Sequence, residues 1–218
     1  MTGRLALALL AGAALTAGVA WSQDGHEHHA GHDPHAQHAA HAPAAAPPGA
    51  AMVSMRDLPL VDRSGRRVRL VSDVLDGRIA VINFVYTTCT TVCPVTSATF
   101  ARLQTELGER LGDEVVLVSI TVDPLRDTPA RMKQYAAQHN AAEGWVWLTG
   151  AKADIDAVLK GMGAYTPNYQ DHPVMVLVGD ARRGEWKRHF GFPSVKDLRA
   201  SVDALAGRQQ ASTTGTKE

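Results

Sequence analysis

Two hydrophobic runs, IAVINFVY at 79–86 and EVVLVSITV at 114–122, limit the folds open to this chain more than any other feature. A strand that alternates apolar and polar residues can leave one face in water. A continuous apolar run of this length has to be covered on both faces, as happens at the centre of a parallel sheet flanked by helices. Between the two runs, Phe100, Leu103, Leu107 and Leu111 recur at helical spacing before Gly112, and Pro94 brings a fixed φ suited to a helix start. Strand, helix and strand over this distance predict a right-handed crossover between parallel strands.

The remaining pattern extends that unit. Residues 68–71 read as an early edge strand. Asp123-Pro124 ends the second buried run, and Thr128-Pro129 offers an N-cap followed by proline for a helix to about His139. A short strand is expected at 145–148, a helix at 153–161 and an apolar strand at 174–178. Arg182-Arg183-Gly184 then turns the chain into 186–190 as a hairpin. A last helix is expected to open at Ser194 or Asp197 and close near Ala206-Gly207. Together these elements give an α/β fold with a mixed central sheet and helices on both faces.

The flanks have a different composition. Residues 1–22 join a single early positive charge to an apolar stretch with small residues at Gly18, Ala20 and Ser22, the pattern of an export signal or N-terminal membrane anchor. Either one places the domain outside the cytoplasm, in the periplasm, with membrane contact only through this segment. Residues 23–51 are His, Ala, Pro and Gly with almost no large apolar side chain, so a disordered linker is expected. It holds His26, His28, His29, His32, His35, His38 and His41, an imidazole string suited to loose metal capture. The folded domain is expected over 52–207, with a frayed tail at 208–218. Its length suits one core. The 22 basic and 22 acidic residues leave no electrostatic footprint for nucleic acid, and nothing signals an obligate oligomer, so a monomer is expected.

Cys89 and Cys93 are the only cysteines, too few and too close together for a disulfide framework. They follow a buried strand and precede a helix, where open α/β sheets place their ligand sites. The helix N-terminus should favour a thiolate, and Cys93, next to Pro94, is the residue expected to benefit. Two thiolates favour a soft ion such as Cu(I). For a third donor, His172 stands in a connection just before a strand, whereas His139 closes a helix and His189 lies within a hairpin strand.

At these residues the chain resembles the Sco/SenC family of copper-binding proteins. The matching pieces are FVYTTCTTVCP at 84–94, VSITVDPLRDTP at 118–129, the Asp171-His172 pair and FGF at 190–192. The resemblance implies a thioredoxin-like fold, copper as Cu(I) or Cu(II) on Cys89, Cys93 and His172, and a cysteine pair that also cycles through a disulfide. Asp123 matches the family's aspartate in the VDP turn, where it would either orient the site or cap the turn. One departure is Pro173, where family members commonly carry a hydroxyl residue. The implied activity is that of a metallochaperone, taking copper from a periplasmic donor or its own tail. The implied recipient is the dinuclear copper centre of cytochrome c oxidase subunit II, or another copper-accepting protein. The alternative is a thiol-disulfide oxidoreductase that reduces the recipient's cysteines and has no need of His172.

Overall fold

The computed structural model describes residues 52–214, with side chains to residue 209. The expected leader at 1–22, the histidine-rich segment with His26 to His41 and the last four residues lie outside the described residues. No described helix is long and apolar enough to cross a membrane.

Seven strands form one sheet: β1 (Pro59–Asp62), β2 (Arg67–Arg69), β3 (Ile79–Val85), β4 (Val115–Thr121), β5 (Trp145–Thr149), β6 (Met175–Asp180) and β7 (Glu185–Phe190). Their order across the sheet is β2-β1-β5-β4-β3-β6-β7. The continuous apolar runs are β3 and β4, every residue of which is buried, and they pair in parallel from Ile79 opposite Val115 to Val85 opposite Thr121. β5 extends the parallel set, while β1, β6 and β7 join antiparallel. Since β6 runs against β3, its first residues lie beside the end of β3, with Val176 opposite Asn83.

Four helices cover the sheet: α1 (Val92–Leu107), α2 (Pro129–Gln138), α3 (Lys152–Met162) and α4 (Val195–Thr214). On one face α1 presents Phe100, Leu103 and Leu107 to a core shared with α2, α4 and the Trp145–Trp147 pair. On the other, Ile155, Val158, Leu159 and Met162 of α3 cover Ala80, Ile82, Val116 and Val118. Burying one such side chain fully contributes about 1.5–3 kcal/mol, so each face is anchored by several of these. Thr128 accepts the Arg131 N–H and caps α2 as its sequence suggests, with Pro129 in the first helical position.

Three expectations change. The early edge strand is confined to Arg67–Arg69, and Leu70–Leu75 winds into a π-helical turn that buries Leu70, Val74 and Leu75 on one side. A strand that the pattern did not reveal, β1, sits between β2 and β5. The last helix runs past Gly207 to Thr214, since Gly207 does not take the left-handed conformation of a C-cap. Beyond that glycine, Arg208 pairs with Glu185 at 2.9 Å and Gln209 donates to Asp180 at 2.8 Å, tying the helix extension to the β6–β7 hairpin.

Candidate metal centre

Cys89 and Cys93 sit where β3 gives way to α1, at the sheet end that also receives the start of β6. Both are free thiols and both are buried, at 5% and 1% exposure. The Cys89 N–H donates to the Tyr86 carbonyl at 3.1 Å, which turns the loop back on the end of the strand. Cys93 lies in the first turn of α1, and its N–H donates to the Cys89 sulfur at 3.4 Å. The helix N-terminus therefore acts on Cys89 rather than Cys93. Burial pushes the Cys89 thiol up, but bonds from the Cys93 side chain and backbone, the Thr91 backbone and the Tyr86 hydroxyl outweigh it and leave the thiol at about 7. Cys93 is pushed up to about 12 by its deeper burial and by the Cys89 thiol beside it. The thiolate-prone cysteine is Cys89, the reverse of the expectation from Pro94: a helix N-terminus stabilises the group its N–H bonds reach, not the one carried on the helix.

A residue unremarked in the sequence holds the loop in place. Asp127 is 1% exposed and accepts the Thr87 hydroxyl at 2.6 Å, the Thr121 hydroxyl at 2.6 Å and the Thr87 N–H at 3.2 Å. It clamps the end of β4 to the first residues of the cysteine loop. In sequence Asp127 resembles a solvated loop charge within the VDPLRDTP piece; the signals for its role are its place in that piece and the two threonines, Thr87 and Thr121, at the ends of the buried runs, just after the first and just inside the second.

His172 follows a short 3₁₀ turn, Tyr169–Asp171, and is buried. Its Nδ1 lies 2.9 Å from the Tyr169 carbonyl. Burial pulls its pKa down, opposed by the Tyr169 and Phe84 carbonyls, so the ring is neutral near pH 7 and holds a lone pair for a metal. Tyr86 neighbours both parts of the site: its ring is edge-on to His172 at 5.9 Å and to Tyr169 at 5.1 Å between centroids, and its hydroxyl acts on the Cys89 thiol. The structure thus brings the two cysteines together and sets His172 against the tyrosine that also neighbours Cys89. Among the described residues no three His, Cys, Asp or Glu side chains are gathered closely enough to hold a metal ion. The donor chemistry nevertheless suits a soft ion: two sulfurs, one with a low pKa, and a neutral imidazole.

The family model described as SCO1/SenC matches residues 50–182. The chain belongs to the SCO1/SenC family. A Rickettsia felis protein named SCO2-like is 31% identical over 147 residues, 62% of this chain and 67% of the relative. A Stutzerimonas stutzeri relative is 33% identical over 106 residues, so the chain spans only 50% of that relative's length. Among solved structures, Bradyrhizobium japonicum ScoI with copper bound is 27% identical, with a TM-score of 0.56 over 72% of this chain and 98% of that one. The fold is thioredoxin-like, as expected for the family.

Set against the family pattern, the other candidate residues fall into place. Asp123 is buried, accepts Arg126 at 3.0 Å, and through its carbonyl accepts the N–H groups of Arg126 and Asp127. It caps the turn, and Arg126 lies over the Tyr169 ring at 5.7 Å, so Asp123 also bears on the residue whose carbonyl holds His172. His139 and His189 are engaged elsewhere: His139 stacks on Trp147, and His189 Nε2 meets the Ser201 hydroxyl at 3.1 Å.

Proposed function

We propose that this protein is a copper chaperone acting outside the cytoplasm, holding Cu(I) or Cu(II) on Cys89, Cys93 and His172 and passing it to a copper enzyme, with cytochrome c oxidase subunit II as the recipient. The observation that carries this reading is the composition of the site: a low-pKa thiol and a second thiol at a helix start, with a buried neutral imidazole facing the same tyrosine. Support comes from the family and from the copper-bound state of the Bradyrhizobium japonicum relative. When bound, copper would be cargo, released by exchange of thiolate and imidazole for the recipient's ligands. The chain's own part is to keep Cys89 ionised, Cys93 close by and His172 neutral. The histidine-rich segment supplies a first, weaker point of capture.

One observation also favours a thiol-disulfide role. Cys89 and Cys93 differ widely in acidity, as in a nucleophile and resolving pair. Cys89 would attack a partner's disulfide, and Cys93 would then close the Cys89–Cys93 bond. The partner gains two electrons and two protons as its S–S bond breaks.

The two readings part at His172. Copper titration of the full chain with His26 to His41 replaced by alanine, alone and with His172→Ala, is expected to show one tight site weakened at least about a hundredfold by the His172 change, in line with loss of one of three ligands. Affinity indifferent to His172, with disulfide exchange intact, would refute the chaperone reading and leave the oxidoreductase.

A further inference from the structure

We infer that Tyr86 is the gate of the site, a wedge between the thiol pair and His172 that has to leave before the three donors can close on one ion. This rests on the copper-site reading above and adds the residue that controls entry. Tyr86 is tied to both sides. Its carbonyl accepts the Cys89 N–H at 3.1 Å, and its hydroxyl lies close enough to the Cys89 thiol for each to shift the other's acidity. Its ring meets the His172 ring edge-on at 82° and the Tyr169 ring at 81°. His172 is in turn parked against backbone, with Nδ1 at the Tyr169 carbonyl and the Phe84 carbonyl as its second neighbour.

Each donor is thus satisfied without the others, consistent with the finding that no three metal-binding side chains among the described residues converge. The backbone needs little change, because β3 and β6 are already adjacent and in register up to Asn83 and Val176. The remaining obstacle is a side chain. When the Tyr86 ring rotates out, two edge-to-face contacts and one hydroxyl–sulfur contact are lost, and the imidazole is free to turn toward the sulfurs. Tyr169 sets how firmly the gate is shut, and it is held by Arg126 above its ring at 5.7 Å, with Arg126 fixed by Asp123 at 3.0 Å. This gives the aspartate of the VDP turn a means to influence metal entry without touching the ion.

The test is stopped-flow capture of Cu(II) and Co(II), followed by charge-transfer absorbance, by the full chain with the tail histidines replaced. Wild type, Tyr86→Phe, Tyr86→Ala and Tyr169→Ala are compared, with circular dichroism confirming the fold of each. Tyr86→Ala is expected to bind at least about tenfold faster, the factor associated with contacts of this kind no longer breaking on the way. Tyr86→Phe keeps the ring and should stay within about threefold of wild type, while Tyr169→Ala should fall between. Alkylation of the metal-free thiols should quicken in the same order. A loosened fold would also expose the buried thiols, so acceleration counts for a gate only at unchanged stoichiometry and with the urea midpoint of the metal-free variant near that of wild type. Tight binding by wild type with the same rate in Tyr86→Ala would overturn the gate and leave the copper site standing. Tyr86→Phe as fast as Tyr86→Ala would also overturn it, placing control in the hydroxyl–sulfur contact. Absence of metal binding by wild type would overturn both readings.

Discussion

Replacing Asp127 with alanine should cost more stability than any exposed charge in the protein. Its carboxylate accepts two hydroxyl bonds of 2.6 Å, from Thr87 and Thr121, and both oxygens lie 3.2 Å from the Thr87 N–H. Hydrogen bonds to a charged group each contribute about 1.5–3 kcal/mol, and removing one partner also strands the other. Thr87 is half-buried and recovers some hydration, whereas Thr121 is fully buried and keeps only the Asp123 N–H at 2.9 Å. The net loss for Asp127→Ala is therefore about 3–5 kcal/mol. For a domain of 150–250 residues that is a fall in Tm of about 6–20 °C. Asp127→Asn, which keeps one acceptor but turns an amide toward the other hydroxyl, should lose roughly half as much. The control is Arg199→Ala, which removes an exposed pair with Glu106 at 3.5 Å and should cost less than about 1 kcal/mol. Urea unfolding of the four proteins provides the comparison. A loss for Asp127→Ala no larger than that for Arg199→Ala would refute the claim that this carboxylate clamps β4 to the cysteine loop.

The thiols should act on stability in opposite directions with pH. Cys89 sits at about 7, below an ordinary thiol, so stability rises between about pH 7 and 9 as the unfolded chain holds the extra proton. Cys93 and Tyr135, both pushed up to about 12, stay protonated in the fold while the unfolded chain ionises, so stability falls between about pH 9 and 12. Urea midpoints across that range, with iodoacetamide labelling mainly Cys89 at pH 7.5, check both; equal labelling of the two cysteines would count against the assignment. Gly144→Ala should cost about 3 kcal/mol, because φ is +89° and a Cβ would lie 2.8 Å from the Gly112 nitrogen, whereas Gly184→Ala, at φ +64° with nothing within 4 Å, should cost only about 1–2 kcal/mol in thermal unfolding.

Much of the fold could be read in the sequence because burial on both faces leaves no choice of period: β3 and β4 are continuous apolar runs, and nothing else accommodates them. β1 was hidden because only Leu60 and Asp62 of its four residues are buried, and the buried aspartate serves a turn by accepting Ser64 and Arg66. The start of the π-helical turn reads as strand in sequence because Leu70 and Val71 follow β-like residues; what distinguishes it is the one-sided burial of Leu70, Val74 and Leu75, which appears only once a core exists. At the site, the cysteines announced themselves by position. The difference between them did not, since it depends on which sulfur the Cys93 N–H reaches. Asp127 and Tyr86 were hard to see for a related reason: a charge in a loop and an aromatic at a strand end are ordinary in sequence, and only their partners make them special.

The antiparallel course of β6 against β3 has a consequence for the life of the chain. It places two residues about eighty positions apart in sequence at one end of the sheet, Cys93 in the helix that follows β3 and His172 just ahead of β6, although a flexible chain closes so long a loop only at an entropic cost. A chain that has been made no further than α3 has both sulfurs but lacks His172. On the proposed reading, cargo loading is thereby coupled to completion of the fold: only a chain that has inserted β6 can set His172 beside the tyrosine that neighbours Cys89, while shorter intermediates hold the thiol pair without it.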